Sequence, residues 1–231
     1  MDLNKHKFLM LQILKDIYSD IELANSLGFK GGTALMFFSN LPRFSVDLDF
    51  NLIIAENEEL VYQKVRSILR KYGKIFDDAK KFYGPIIVLD YGVGERKLKI
   101  EISNRQYDNH YEIKNLLGIN MKVMVNSDMF AHKLCALLDR NELTNRDIFD
   151  THFFLQQRTP INKNIVEARM NCTLSDYLQQ CIDSLEKISD KGILNGLGEL
   201  MDADTKKFVR TKLRTETIDL LRFYKEYPII S

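Results

Sequence analysis

Cysteine is scarce in this 231-residue chain, and the three present, Cys135, Cys172 and Cys181, lie far apart with no CxxC among them. That spacing supports neither a disulfide framework nor a zinc knuckle; it suits a reducing compartment, so a cytoplasmic location is expected. The four histidines, His6, His110, His132 and His152, show no HExxH or similar ligand spacing and read as surface or packing residues. An excess of one charge is missing too. Lys plus Arg number 33 and Asp plus Glu 32, so any nucleic-acid surface must come from local clustering. No window reaches the roughly eighteen apolar residues that a membrane span needs, and no membrane partner is expected. The run Phe8 to Leu14 comes nearest to a signal peptide. Yet Gln12, Lys15, Asp16 and Asp20 interrupt that region, and Leu9, Ile13, Ile17 and Ile21 recur at helical spacing.

What is present is an ordinary globular composition, 45% hydrophobic and 28% charged, long enough for one large domain or two small lobes. An amphipathic helix near 3–24 leads through Gly28 to a short turn and a helix from Thr33 to Ser39, with Pro42 beyond it. Residues 46–54 alternate and then become continuously apolar, as a central strand does, and 57–73 have helical periodicity. Strands at 85–91 and 97–103 are joined by GVGER, where Gly92 and Gly94 read as hairpin-turn residues because the pattern is not GxGxxG. From about 127 onward every strong pattern is helical. The expected class is α+β: a small mixed sheet with helices over 1–120, then a helical lobe over 121–231, with no internal repeat.

The most informative text is Lys30-Gly31-Gly32-Thr33-Ala34-Leu35, followed by Arg43-Phe44-Ser45-Val46-Asp47-Leu48-Asp49-Phe50. Two glycines and a hydroxyl open a helix whose first N–H groups are available to phosphate. On the strand, Asp47 and Asp49 point one way while Leu48 and Phe50 point into an apolar layer. Two carboxylates held that close favour a hard divalent cation between them. Ser45 falls on the same face if the strand already runs there, and Arg43 either neutralises phosphate or pairs with an acidic neighbour. In KLKIEIS, Leu98, Ile100 and Ile102 share one face and Lys97, Lys99, Glu101 and Ser103 the other. Glu101 is then a site carboxylate or a surface charge paired with Lys97 or Lys99, and Asp90 is a further carboxylate on the adjacent strand.

Gly32-Thr33 followed by Asp47-x-Asp49 resembles the signature of the polymerase-β-like nucleotidyltransferase superfamily, usually Gly-Ser, a spacer and Asp-x-Asp. Thr33 departs from the usual serine but keeps the hydroxyl. The longer text GGTAL and RFSVDLDF, with KLCALLDR at 133–140 and RDIFD at 146–150, is similar to the AbiEii/AbiGii toxin family, over roughly 25–155. These are nucleotidyltransferases found as toxins of bacterial toxin–antitoxin pairs. The resemblance implies a polymerase-β-like core that binds a nucleoside triphosphate with Mg²⁺, or Mn²⁺, held by Asp47, Asp49 and Glu101. It implies a phosphate cradle at Gly32 and Thr33, a phosphate contact from Lys133, and Asp147 in the active site, orienting Lys133 or the nucleotide. It further implies an RNA acceptor, tRNA in particular, and a cognate antitoxin. The alternatives are nucleotidylation of a protein hydroxyl, and a nucleotide-binding regulator without turnover, against which the intact Asp-x-Asp argues.

Beside that resemblance, Lys133 lies in a helix that Ser127 is expected to cap, among Met129, Phe130, Ala136 and Leu137; such a lysine either snorkels or meets an anion. Asp147 and Asp150 share a face of a second helix capped by Thr144 or Asn145. A salt-bridge network with Arg140 is the alternative for Asp147 and the preferred reading of Asp150. Lys206, Lys207, Arg210, Lys212 and Arg214 form a basic strip over an amphipathic helix carrying Phe208, Leu213, Leu220 and Leu221, which follows an RNA backbone or is a solvated face.

Overall fold

In the computed structural model of the chain, residues 2–139 and 143–231 are described, and they divide into two compact units. The first contains the segments up to Asn40, Ser45–Gln106 and Tyr111–Met124; the second contains Leu41–Phe44, Tyr107–His110 and Val125–Ser231.

The first unit opens with α1 (Leu3–Ser19), whose first N–H groups, at Asn4 and Lys5, donate to the Asp2 carboxylate. The single helix expected near 3–24 is broken at Asp20. That residue is extended and its carboxylate accepts from the N–H groups of Glu22 and Leu23, so it starts α2 (Ile21–Ser26) instead of continuing α1. There follow β1 (Leu27–Lys30), α3 (Gly31–Phe38), β2 (Asp47–Leu52), α4 (Glu58–Leu69), β3 (Lys74–Lys81), β4 (Gly84–Asp90), β5 (Leu98–Ser103), β6 (Tyr111–Leu116) and β7 (Ile119–Met124). Among the described residues these strands make one mixed sheet in the order β3-β4-β5-β2-β1-β7-β6, with β2–β5 and β1–β7 parallel.

Burial alternates over the first part of β2 and β5 and the later part of β4. Leu48 and Phe50 of β2, Ile87 and Leu89 of β4, and Leu98, Ile100 and Ile102 of β5 are buried, while Asp47, Asp49, Ile86, Val88, Lys99 and Glu101 are half-buried. The helix α4 packs on β3 and β4 and buries Val61, Val65 and Leu69. Each large aliphatic side chain withdrawn from water contributes about 1.5–3 kcal/mol. A one-residue slip of β2 would move that apolar set to the other face, so the core fixes which way the aspartates point.

The second unit is helical: α5 (Asn126–Cys135), α6 (Asn145–Gln156), α7 (Lys163–Met170), α8 (Leu174–Lys187), α9 (Ala203–Thr211) and α10 (Leu213–Glu226). Phe130 of α5 stacks on Phe154 of α6 with centroids 5.0 Å apart, and Tyr224 of α10 meets Phe130 edge-on. Thr144 caps α6 through the Asp147 N–H. Ser127 does not cap α5, because that helix starts after Val125 and the Ser127 hydroxyl turns to Asp128. The helix expected beneath the basic strip is two, α9 and α10, with the break at Lys212. Among the described residues no helix is long and apolar enough to cross a membrane.

Candidate active site

The sheet of the first unit lines up charges in register. Lys30 pairs with Asp49 across β1–β2, and Asp49 with Glu101 across β2–β5; Asp47 pairs with Lys99 in the same ladder. Two rows therefore cross the half-buried face: Lys30, Asp49, Glu101 and Ile86, then Asp47, Lys99 and Val88. In-register neighbours on one face sit about 4.5–5.5 Å apart at Cβ. The Lys99 ammonium lies 3.0 Å from Glu101 Oε2, so the pairing alternative for Glu101 is the contact that forms. The other candidate, Lys97, sits over the Phe76 ring, 3.0 Å from its centroid. Burial works against the charge of Lys99, yet the carboxylates of Asp49, Glu101 and Asp47 outweigh it and hold the pKa above the ordinary lysine value.

The start of α3 is fitted against this face. Lys30 is extended and makes no side-chain cap, and Gly31 has φ +80°; a Cβ on Gly31 would run into the Asp49 carboxylate. A glycine is therefore required here both by conformation and by space. Thr33 is fully buried and its hydroxyl donates to the Asp47 carbonyl, docking the helix on the strand that carries the aspartates. Gly32 and Thr33 are the expected cradle; Lys30 and Gly31, to which the motif alone assigns no role, complete the approach. His6 meets the residue just before the strand, with its two ring nitrogens at Tyr91 Oη and the Val46 carbonyl.

Asp47 and Asp49 offer the carboxylate oxygens that a hard cation takes. Among the described residues, however, no three His, Cys, Asp or Glu side chains come together as a group able to hold a metal ion. Glu101, expected as the third ligand, engages Lys99. Mg²⁺ needs no complete protein cage, because it is commonly held by one or two carboxylates with water and substrate phosphate filling the rest. The aspartate pair fits that ion.

A second polar cluster lies within the second unit. Arg43 donates from Nε to Asp150 Oδ1 and from Nη2 to Asp150 Oδ2, both at 2.7 Å, and Lys133 Nζ is 2.8 Å from Asp150 Oδ2 and 3.5 Å from Asp147 Oδ1. The Thr144 hydroxyl donates to Asp147 Oδ2 at 2.7 Å. Arg43, Asp147 and Asp150 are buried, while the Lys133 side chain keeps 18% of its exposure. Burial alone would raise the Asp150 carboxyl, but Arg43 and Lys133 bring it down to about 2. The same burial opposes the Lys133 charge, and Asp150 and Asp147 more than restore it. Of the two readings for Arg43, pairing is the contact seen, and for Asp150 the salt-bridge network forms with Arg43 and Lys133. Arg140, the partner expected from sequence, lies outside the described residues.

Ser45 is buried ahead of the ladder, which begins at Asp47, and its N–H points to Met36 Sδ at 3.4 Å. Asp90 accepts from the Gly92 N–H and shapes the β4–β5 turn. His132 contacts Asn109 and Arg169, and His152 contacts Glu216; His110 binds Asp128. In the basic strip Arg214 pairs with Asp190 and Lys212 with Glu216.

The mixed sheet with its flanking helices is the fold of solved nucleotidyltransferase structures. A Helicobacter pylori protein described as a candidate nucleotidyltransferase superposes with TM-score 0.63 at 21% identity, covering 96% of this chain and 94% of the other. JHP933 from the same organism gives 0.62 at 21% identity, covering 97% and 92%. These likenesses concern the fold. The family described as nucleotidyl transferase AbiEii toxin, type IV toxin–antitoxin system, matches residues 12–223, and the chain belongs to it. It is therefore a nucleotidyltransferase toxin, with a nucleotide substrate and an antitoxin partner implied by the family. The match continues past the 25–155 segment legible in the sequence into the C-terminal helices. No protein of curated function matches the chain.

Proposed function

We propose that the enzyme transfers a nucleotide from a nucleoside triphosphate to a hydroxyl of an RNA end, tRNA in particular, with Mg²⁺ as the working ion. The observation that carries this reading is the register that puts Asp47, Asp49 and Glu101 on one open sheet face, with the start of α3 fitted to Asp49 through Gly31. Asp47 and Asp49 would hold the ion, which when bound supplies positive charge at the reacting phosphate. Glu101 serves the same site as ligand or as base toward the acceptor hydroxyl. The first N–H groups of α3, at Gly32 and Thr33, bind the β- and γ-phosphates. Lys133 neutralises phosphate charge, and Asp147 holds its ammonium in place. The acceptor oxygen bonds to the α-phosphorus, the bond to the β-phosphate bridging oxygen breaks, and pyrophosphate leaves. Because negative charge shifts along the phosphates during this step, fixed positive groups and dipoles supply most of the rate.

An RNA acceptor is favoured by the basic residues of α9 and α10, among which Lys206, Lys207 and Arg210 lie on one helix. The test is to incubate the protein with each labelled nucleoside triphosphate, Mg²⁺, total tRNA and lysate protein. Label in the tRNA fraction is the expected result. Label in protein alone would replace the RNA acceptor by a protein hydroxyl, and no label with any triphosphate would overturn the reading.

A further inference from the structure

The first unit contains an ammonium among its carboxylates for which the proposed reaction has no stated use. Lys99 lies opposite Asp47 in the β2–β5 ladder, touches Glu101, and is flanked through the same ladder by Asp49. Its position is imposed by the fold: Leu98 and Ile100 on either side are fully buried in the core, so the lysine between them must stand on the carboxylate face. Three carboxylates and one ammonium are then held on two neighbouring strands.

We infer that Lys99 is a resident counter-cation of this face, beside Lys30 in register with Asp49, and a positioning residue, which makes divalent-metal binding conditional on the nucleotide. The inference rests on the metal site proposed above. Its physical basis is competition. While Lys99 engages Glu101, a divalent ion approaching Asp47 and Asp49 meets a positive charge a few ångströms away and lacks the third carboxylate, so the protein alone binds it weakly. A nucleoside triphosphate adds phosphate oxygens and negative charge to the same face. The ion then gains ligands, and Lys99 gains an anion to exchange for Glu101. This arrangement accounts for a face that carries carboxylates yet presents, among the described residues, no ready group of three for a metal. It also ties ion capture to substrate arrival, so that the ion enters with the triphosphate.

The experiment is a Mn²⁺ titration followed by electron paramagnetic resonance, which reads binding without turnover. It uses the full chain, alone and with the α,β-methylene analogue of each nucleoside triphosphate in turn. Wild-type protein is expected to bind Mn²⁺ at least about tenfold more tightly with its preferred analogue than the protein and the analogue do separately. Lys99→Met is expected to bind Mn²⁺ about tenfold more tightly than wild type in the absence of nucleotide, the scale of one unit charge removed at short range in a partly solvated site. Lys99→Arg keeps the charge and should behave as wild type. Equal Mn²⁺ affinity for wild type and Lys99→Met without nucleotide would overturn the inference, as would wild-type binding that is equally tight with and without nucleotide. The wild-type comparison keeps the test open to failure even if Lys99→Met does not fold. Asp47→Asn separates the two claims: if Mn²⁺ binding with the analogue is unchanged by that variant, the metal site itself is wrong, whatever Lys99 does.

Discussion

Two of the clusters of Lys, Arg and Asp or Glu among the described residues, one in each unit, differ in burial and in balance. In the second unit, Arg43, Lys133, Asp147 and Asp150 match two positive charges with two negative ones, and three of the four are buried. In the first unit, Asp47, Asp49 and Glu101 share a half-buried face with Lys99, and carboxylates are in excess along that ladder. A buried balanced cluster is locked, because removing one member leaves another charge without compensation in a poorly solvated place. A half-exposed unbalanced one is open to ligands, because solvent reaches it and any cation of suitable size can complete it. The same residue types thus hold the fold in one place, where Lys133 at the exposed rim is also proposed for phosphate, and are open to ligands in the other.

Breaking the locked cluster should have the largest effect on stability. Asp150→Asn leaves Arg43 and Lys133 facing an uncharged amide and should cost about 3–5 kcal/mol, lowering the melting temperature by roughly 10 °C for a chain of this size. A calorimetric scan checks it; a drop of a degree or less would mean that the cluster is not structural. Lys133→Met comes next, since Arg43 still covers Asp150 and the Thr144 hydroxyl still donates to Asp147. A destabilisation of about 1–3 kcal/mol is expected, together with weaker triphosphate binding if the ammonium also serves phosphate. Unchanged nucleotide affinity would confine Lys133 to the fold.

Titration gives a smaller effect. Burial pushes His6 and His152 below the ordinary histidine value, against Val46 and Asp47 in one case and Glu216 in the other. Their folded pKa values are depressed, so the unfolded chain binds these protons first. Stability should be complete above pH 6.5 and fall as pH drops through the depressed values, with a further decrease below about 4 as Asp150 is protonated. Denaturant unfolding between pH 8 and 5 tests the histidine part, and a flat profile would contradict it. Smallest in energy is the effect of the basic strip. Lys206→Ala, Lys207→Ala and Arg210→Ala combined should flatten the salt dependence of tRNA affinity, by up to about 0.9 in log–log slope for each duplex phosphate left without its cation. Triphosphate affinity should not change; equal salt slopes for the triple variant and wild type would exclude the strip as an RNA surface.

Much of the fold is legible because strong local signals agree with the tertiary result. The alternation in VDLDF and KLKIEIS and the GVGER turn predict what forms, and of the two caps offered for α6, Thr144 and Asn145, the first is used. Four strands escape the sequence, each for a physical reason. β1 is only four residues long, and Gly28 stands where a side chain would meet the Tyr111 ring. β3, with Asp77, Asp78, Lys80 and Lys81, carries the charges that shield an exposed sheet edge, which hides its strand character. β6 and β7 are joined by Leu117 and Gly118, both at positive φ, and a leucine there gives no turn signal. In the site, residue types and faces can be read, and so can the Lys99–Glu101 pair, which alternation along one strand puts side by side; partners on other elements cannot. Lys99 comes opposite Asp47 through a register that no local pattern encodes, and Arg43 finds Asp150 from 107 positions away.

Turnover set beside stability separates chemistry from folding at the carboxylate face of the first unit. Asp49→Asn should leave the melting temperature within a degree or two of wild type, because the residue is half-buried and outside the locked cluster. It should also reduce transfer of labelled nucleotide to tRNA by at least about a thousandfold, since a charge facing the reacting phosphates is removed. Near-wild-type transfer by a folded Asp49→Asn protein would contradict the account.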